Sequence, residues 1–146
     1  MAKLFQNLAA VTLSAAALVS AGCGGGGGSD VERFRVSGTV TFKGEPIPAG
    51  TVTFEPNVTK GNKGPFGYAT ITNGKFDTSS VKGTVGGPHF VRIEGTDGKV
   101  TPDKPQGSRL FNAHRVEVDL PKSNSEQKFE VPASAAEGMQ ADGPPV

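Results

Sequence analysis

Side chains able to do chemistry are few in this chain and lie far apart. His89 and His114 stand 25 positions from one another, and Cys23 is the single cysteine. A zinc site takes three or four protein ligands, so two histidines at that spacing do not define one. Both histidines are expected at the surface or at a strand edge. Glu94, Asp97 and Asp103 lie close in sequence, but their spacing does not fit a calcium loop, and solvated charges are expected there. Gly83 to Gly87 is glycine-rich, yet it lacks the Gly-Lys-Ser/Thr ending and the following helix of a phosphate loop. Turn glycines account for it. No acid, base and nucleophile cluster together, so no catalytic residue, no metal and no cofactor is expected.

The elements that would have to position any site read as strands. In Phe34 to Phe42, the apolar Phe34, Val36, Val40 and Phe42 share one parity, and Arg35, Ser37, Thr39 and Thr41 share the other. Alternate residues of a strand face opposite ways, so this is a ribbon with one apolar and one polar face. Thr51 to Glu55 repeats the pattern, with Val52 and Phe54 inward. Asn73-Gly74 separates Phe66 to Thr72 from Lys75 to Thr78, a hairpin signal because both turn residues need positive φ. Ile71 and Phe76 are its expected core residues. Pro88 to Glu94 offers Val91 and Ile93 on one parity and Phe90 and Arg92 on the other, which leaves its inward face open. Arg115 to Leu120 and Gln127 to Val131 complete seven short strands, with Val116, Val118, Leu120, Phe129 and Val131 inward. The expectation is an all-β, two-layer antiparallel sandwich over residues 31 to 132.

Between the strands, Lys43 to Gly50 is a turn-rich connector whose two prolines belong at an edge or outside the sheet. Pro56 to Pro65 reads as an exposed loop; Asn57-Val58-Thr59 within it matches a glycosylation acceptor only formally. Gly95 to Arg109 is long, polar and free of aromatics. Such stretches are either functional or without fixed structure, and this one is nominated for recognition, with Phe90 as an apolar neighbour if it faces outward. Residues 133 to 146 are small, polar and proline-ended, and are expected to be a disordered tail.

The chain has 146 residues, 15 basic and 14 acidic. Without Lys3, which lies in the leader described next, the two signs balance, and no footprint for nucleic acid is present. A single cysteine rules out an intrachain disulfide, so packing alone must hold the core.

Residues 1 to 22 read as an export leader: Lys3 near the start, then an uncharged apolar run from Leu8 to Ala21. That run is too short for a bilayer, which takes about 20 apolar residues. Ala21-Gly22-Cys23 resembles the end of a bacterial lipoprotein signal, although Ser20 stands where that motif has an aliphatic residue. The resemblance implies cleavage before Cys23 and lipid attachment to its thiol. Residues 23 to 30, with five glycines from Gly24 to Gly28, would then be a flexible tether. Cleavage after Ser20-Ala21-Gly22 by an ordinary signal peptidase is the alternative, and would release a soluble periplasmic binding protein.

The segment Val36-Ser-Gly-Thr-Val-Thr-Phe-Lys-Gly-Glu-Pro-Ile-Pro-Ala-Gly-Thr-Val-Thr-Phe54 resembles the opening of the carboxypeptidase-regulatory-like, or transthyretin-like, domains. Their hallmark is a Gly-x-Val strand, a Gly-x-Pro turn and a second Gly-x-Val strand. Gly83 to Ile93 and Phe129 to Ala136 are similar to small planctomycete-type lipoproteins that carry this domain. The resemblance implies a seven-stranded Greek-key β-sandwich. It further implies a non-enzymatic, lipid-anchored module of the cell envelope, with a protein or glycan partner or a structural accessory role. The same fold includes the hydroxyisourate hydrolases, which use histidines, an arginine and a C-terminal Tyr-Arg-Gly-Ser. Here the sequence ends Pro144-Pro145-Val146 and the one tyrosine is Tyr68. A hydrolase reading would require His89, Arg92 and His114 to meet in one cleft.

Overall fold

The structure, a computed structural model, describes residues 31–139. The leader, Cys23 and the glycine tether lie outside the described residues. Within them the fold is mostly antiparallel β. Eight strand segments form one curled sheet: β1 Val36–Phe42, β2 Glu45–Pro46, β3 Ala49–Pro56, β4 Gly67–Thr72, β5 Lys75–Asp77, β6 Gly87–Thr96, β7 His114–Leu120 and β8 Ser125–Val131. All but the two-residue β2 are strands that alternation identifies in the sequence. The order runs β1-β5-β4-β3-β6-β7, with β2 and β8 also paired to β1.

Turn chemistry sets the local hairpins. Asn73 and Gly74 both have positive φ, 49° and 72°, as the tight β4–β5 connection demands. Lys43 and Gly44 do the same, at 53° and 80°, and fold Phe42 onto Glu45. The connector read from sequence as merely turn-rich thus holds a second hairpin. Pro46 lies in β2, opposite Thr41.

One pairing departs from the all-antiparallel expectation. β8 runs parallel to β1 along its whole length, from Val36 opposite Ser125 to Phe42 opposite Val131. No hairpin joins these strands, so no turn forces them antiparallel; β8 follows β7 in the chain and pairs with β1, at the other end of the strand order. Its entry is fixed by the Ser125 amide donating to the Arg35 carbonyl and the Arg35 amide donating to Asn124 Oδ1.

The apolar parities converge as alternation requires. Val36, Val40, Val52, Phe54, Ile71, Phe76, Leu120, Phe129 and Val131 are all buried. On β6 the inward side is that of Val91 and Ile93, while Phe90 and Arg92 turn outward. Rings of Phe54, Phe76 and Phe129 meet at centroid distances of 5.9 to 6.3 Å. Because β3 and β8 are not paired, the Phe54–Phe129 contact is made by the curl of the sheet.

The C-terminal segment corrects the expected tail. Ala133–Ala136 is a 3-10 turn, and Ala135, Ala136 and Met139 pack against the core. The Asn112 amide donates to the Ala135 carbonyl, which ties the segment to the loop before β7. Packed residues therefore continue past residue 132; positions 140 to 146 of the expected tail lie outside the described residues.

Candidate functional site

The nominated loop is built rather than open. Gly95 and Thr96 belong to β6, and the chain then runs to β7 under the control of Asp97. Asp97 Oδ1 accepts from the amides of Lys99 at 3.0 Å and Ser108 at 2.9 Å. The Asp97 amide in turn donates to the Ser108 carbonyl. These two amide donors hold the Asp97 carboxyl below its ordinary pKa. Asp97 is thus a loop clamp and not the freely solvated charge expected of it. A bridge between Thr96 and Arg109 and a bond from the Leu110 amide to the Gly95 carbonyl close the loop's base. Asp103 stays exposed on it.

This loop and the C-terminal turn face each other across an open cleft of about 910 Å³. Lys104, Gln106 and Arg109 line one wall, while Leu110, Ala136 and Met139 supply apolar surface. Asn112 Nδ2 donates to the Glu137 carbonyl, so a side-chain-to-backbone bond joins the two segments. Lys104 Nζ reaches Ser108 Oγ at 3.3 Å. The sequence pointed at one wall through its length and polarity. The second wall was hidden, because nothing in residues 133 to 139 alternates or carries charge of one sign.

The three residues that a hydrolase reading would bring together do not meet. His89 and Arg92 differ in parity on β6, and they face opposite sides of the sheet. His114 pairs with Ile93, four positions along from His89, roughly 13 Å at the rise of a strand. Arg92 is spent on an exposed ion pair with Glu94 at 2.9 Å.

His89 itself corrects the expectation of a surface position: it is fully buried. Its Nδ1 lies 2.8 Å from the Gly87 carbonyl, which fixes the proton on that nitrogen. Nε2 is buried with no hydrogen-bond partner among the described residues. Burial pushes the imidazole pKa down; the Gly87 carbonyl and the Asp119 charge oppose that shift only in part. Asn62 lies over this end of β6, with Nδ2 donating to the carbonyls of Pro88 at 2.7 Å and Gly86 at 3.1 Å.

The remaining polar groups have structural occupations. Asn57 is buried; its Oδ1 accepts from the Thr59 amide and hydroxyl, and its Nδ2 donates to Glu117. That leaves its amide engaged in the fold. Phe90 faces outward under the Arg115 guanidinium, 3.7 Å from the ring centre. It sits five positions from Gly95, roughly 16 Å along the strand, so it does not flank the loop. Arg35 and Asp77 form an ion pair that, with the Ser79 amide, holds the Asp77 carboxyl well below the usual carboxylate range. Among the described residues no group of three His, Cys, Asp or Glu side chains is placed to hold a metal ion. Comparison with protein-family models and with curated proteins finds no match for this chain.

Proposed function

We propose that this chain is a non-enzymatic module of the bacterial cell envelope, anchored by lipid on Cys23 and serving a binding or structural accessory role. The observation that carries the reading is the single cysteine, placed directly after an uncharged apolar leader and directly before five glycines. With no second cysteine in the sequence a free thiol has no disulfide partner, whereas an acylated one has an anchoring role. Each methylene of an acyl chain contributes about 0.8 kcal/mol of membrane binding, and two or more chains give lasting attachment. A glycine-rich tether over residues 23 to 30, spanning about 15 Å as a random coil, would let the domain stand clear of the anchor point.

The finer architecture proposed is a Greek-key sandwich of the transthyretin-like type. It is supported by the curled, mostly antiparallel sheet and by the hairpin at Lys43-Gly44, which falls on the Gly-x-Pro turn of the resemblance. The separation of His89, Arg92 and His114 favours a module over a hydrolase of that fold.

Mass spectrometry of the mature N-terminal peptide tests the anchor. Acyl mass on Cys23 is expected, and Cys23→Ser should move the protein from the membrane pellet to the soluble fraction. A mature chain beginning at Cys23 without added mass would replace the anchor with soluble export, the reading that Ser20-Ala21-Gly22 favours.

A further inference from the structure

We propose that the end of the domain joined to the tether docks on an anionic lipid surface, that of the membrane holding the anchor. Lys63, Lys82 and Lys122 would meet the headgroups, with Val58 and Phe66 entering the interface between them. The proposal rests on the reading of the chain as anchored through Cys23, and adds the lipid chemistry that the folded domain itself recognises.

Strand register defines this end. β1 and β8 start side by side, Val36 opposite Ser125, with Ser37 opposite Asp77 at the finish of β5. β3 finishes at Pro56 opposite His89, and Gly87 at the start of β6 pairs with Leu120 at the finish of β7. The connections made there are 57–66, 78–86 and 121–124, beside the entering residues 31–35. Contacts stitch them into one surface. Phe34 bridges Thr84, Asn62 Nδ2 donates to the Gly86 and Pro88 carbonyls, and the Arg35 amide donates to Asn124 Oδ1.

Charge is the first ground. These three connections hold Lys60, Lys63, Lys82 and Lys122 and no carboxylate, and all four lysines are exposed. Lys60 is committed to Glu117 and is left out. The other three lie within ion-pair distance of no carboxylate among the described residues. Of the acids nearby, Asp77 is held by Arg35, Glu32 adjoins Arg33 in sequence, and Asp119 is exposed on β7. The long loop at the opposite end mixes both signs, with Asp97 and Asp103 among Lys99, Lys104 and Arg109. Lysines set against a negative lipid surface each add to binding within a Debye length.

Apolar exposure is the second ground, and it is independent of charge. The exposed large apolar side chains among the described residues are Val31, Val58, Phe66, Tyr68 and Val100. Val31 stands at the entry, Val58 and Phe66 in the connection after β3, and Tyr68 at the second position of β4. Only Val100 lies elsewhere. The Phe66 and Tyr68 rings are neighbours, 6.4 Å between centres. Apolar side chains among lysines are the make-up of a surface that lies on a bilayer.

The tether supplies the third. Residues 23 to 30 join the domain at Val31, and a random coil of that length keeps this end within about 15 Å of the anchor. A membrane is the anionic partner that the anchor itself brings to these lysines, at high effective concentration.

The test uses the mature chain from Cys23 onward, prepared without acylation so that docking is read apart from the anchor. It is sedimented with vesicles of phosphatidylcholine and with vesicles that also contain phosphatidylglycerol. Binding to the mixed vesicles is expected, and raised salt should weaken it. A variant combining Lys63→Gln, Lys82→Gln and Lys122→Gln should bind at least about tenfold more weakly, and Phe66→Ser about threefold more weakly. Lys43→Gln, Lys75→Gln and Lys99→Gln together remove the same charge from the opposite end and should leave binding within about twofold of native. No binding to the mixed vesicles, equal binding to both kinds, or equal losses in the two triple variants overturns the proposal. Binding to soluble polyglutamate with none to the mixed vesicles assigns this end to an acidic protein and also overturns it. Acyl mass on Cys23 without docking defeats the docking and spares the anchor; docking without acyl mass defeats the anchor alone.

Discussion

A neutral imidazole in a protein core is a bargain that holds only above a certain pH. His89 donates a hydrogen bond from Nδ1–H to the Gly87 carbonyl and keeps Nε2 as a bare lone pair in buried surroundings. Protonating Nε2 would place a charge and an unpaired donor in the core, which is why burial lowers its pKa. The sign follows from proton counting. An unfolded histidine titrates near pH 6.5, and the folded one titrates lower. Between those values the unfolded state binds more protons, so stability is fully present above about pH 6.5 and declines as pH falls toward the folded pKa. Urea midpoints measured at about pH 7.5 and about pH 5 should show this decline in the native protein. His89→Gln keeps a donor for Gly87 but cannot titrate, so its midpoint should fall less over the same interval. His114 is present in both proteins and cancels in the comparison. Equal declines would mean that His89 does not bear the acid sensitivity.

At the scale of strands, two glycines show what the recurrent Gly-Thr-Val triplets are for. A Cβ built on Gly38 would lie 1.8 Å from the Gln127 carbonyl oxygen, and one on Gly50 would lie 2.1 Å from that of Glu94. Each glycine therefore permits a neighbouring backbone to approach: β8 against β1 in one case, β6 against β3 in the other. Gly38→Ala must spread the parallel β1–β8 pair and should cost about 3 kcal/mol or more. Gly61→Ala, where a Cβ meets nothing within 4 Å, should cost only about 1–2 kcal/mol for its left-handed backbone, φ 77°. Chemical denaturation of the two variants checks the ordering; equal losses would remove the close-approach argument. The strands themselves were legible because period-two alternation is a local signal. Partners were not: the direction of β8 depends on where a distant strand edge remains free. The burial of His89 was hidden for a related reason, since both parities of β6 carry apolar residues and the outward Phe90 is accounted for only by Arg115 on β7. Within the candidate cleft, polarity and length exposed the wall that ends at Arg109. The clamp by Asp97 and the docking of Ala135, Ala136 and Met139 are tertiary contacts with no repeat to betray them.

For the molecule as a whole, the question is what makes a single sheet enclose a core. Strand pairing alone would leave β8 at one end of the order and β7 at the other, with the apolar faces in between. The curl brings Phe129 of β8 over Phe54 of β3, ring centres 6.3 Å apart, with Phe76 of β5 touching both at 5.9 Å. All three rings are buried. They come from strands that span most of the sheet, so their contact exists only when the sheet has curled. Phe54→Ala and Phe129→Ala should each cost about 3–5 kcal/mol, the range for emptying a core site of an aromatic ring. The double variant is the sharper measurement. If the two rings act on one another across the curl, its cost should fall short of the sum of the singles by about 0.5–1.5 kcal/mol, the worth of an aromatic pair beyond its burial. Equilibrium unfolding of the four proteins closes the cycle. Strict additivity would mean that β3 and β8 are stabilised independently, each by its paired neighbours, and that the curl contributes no contact energy of its own at this point.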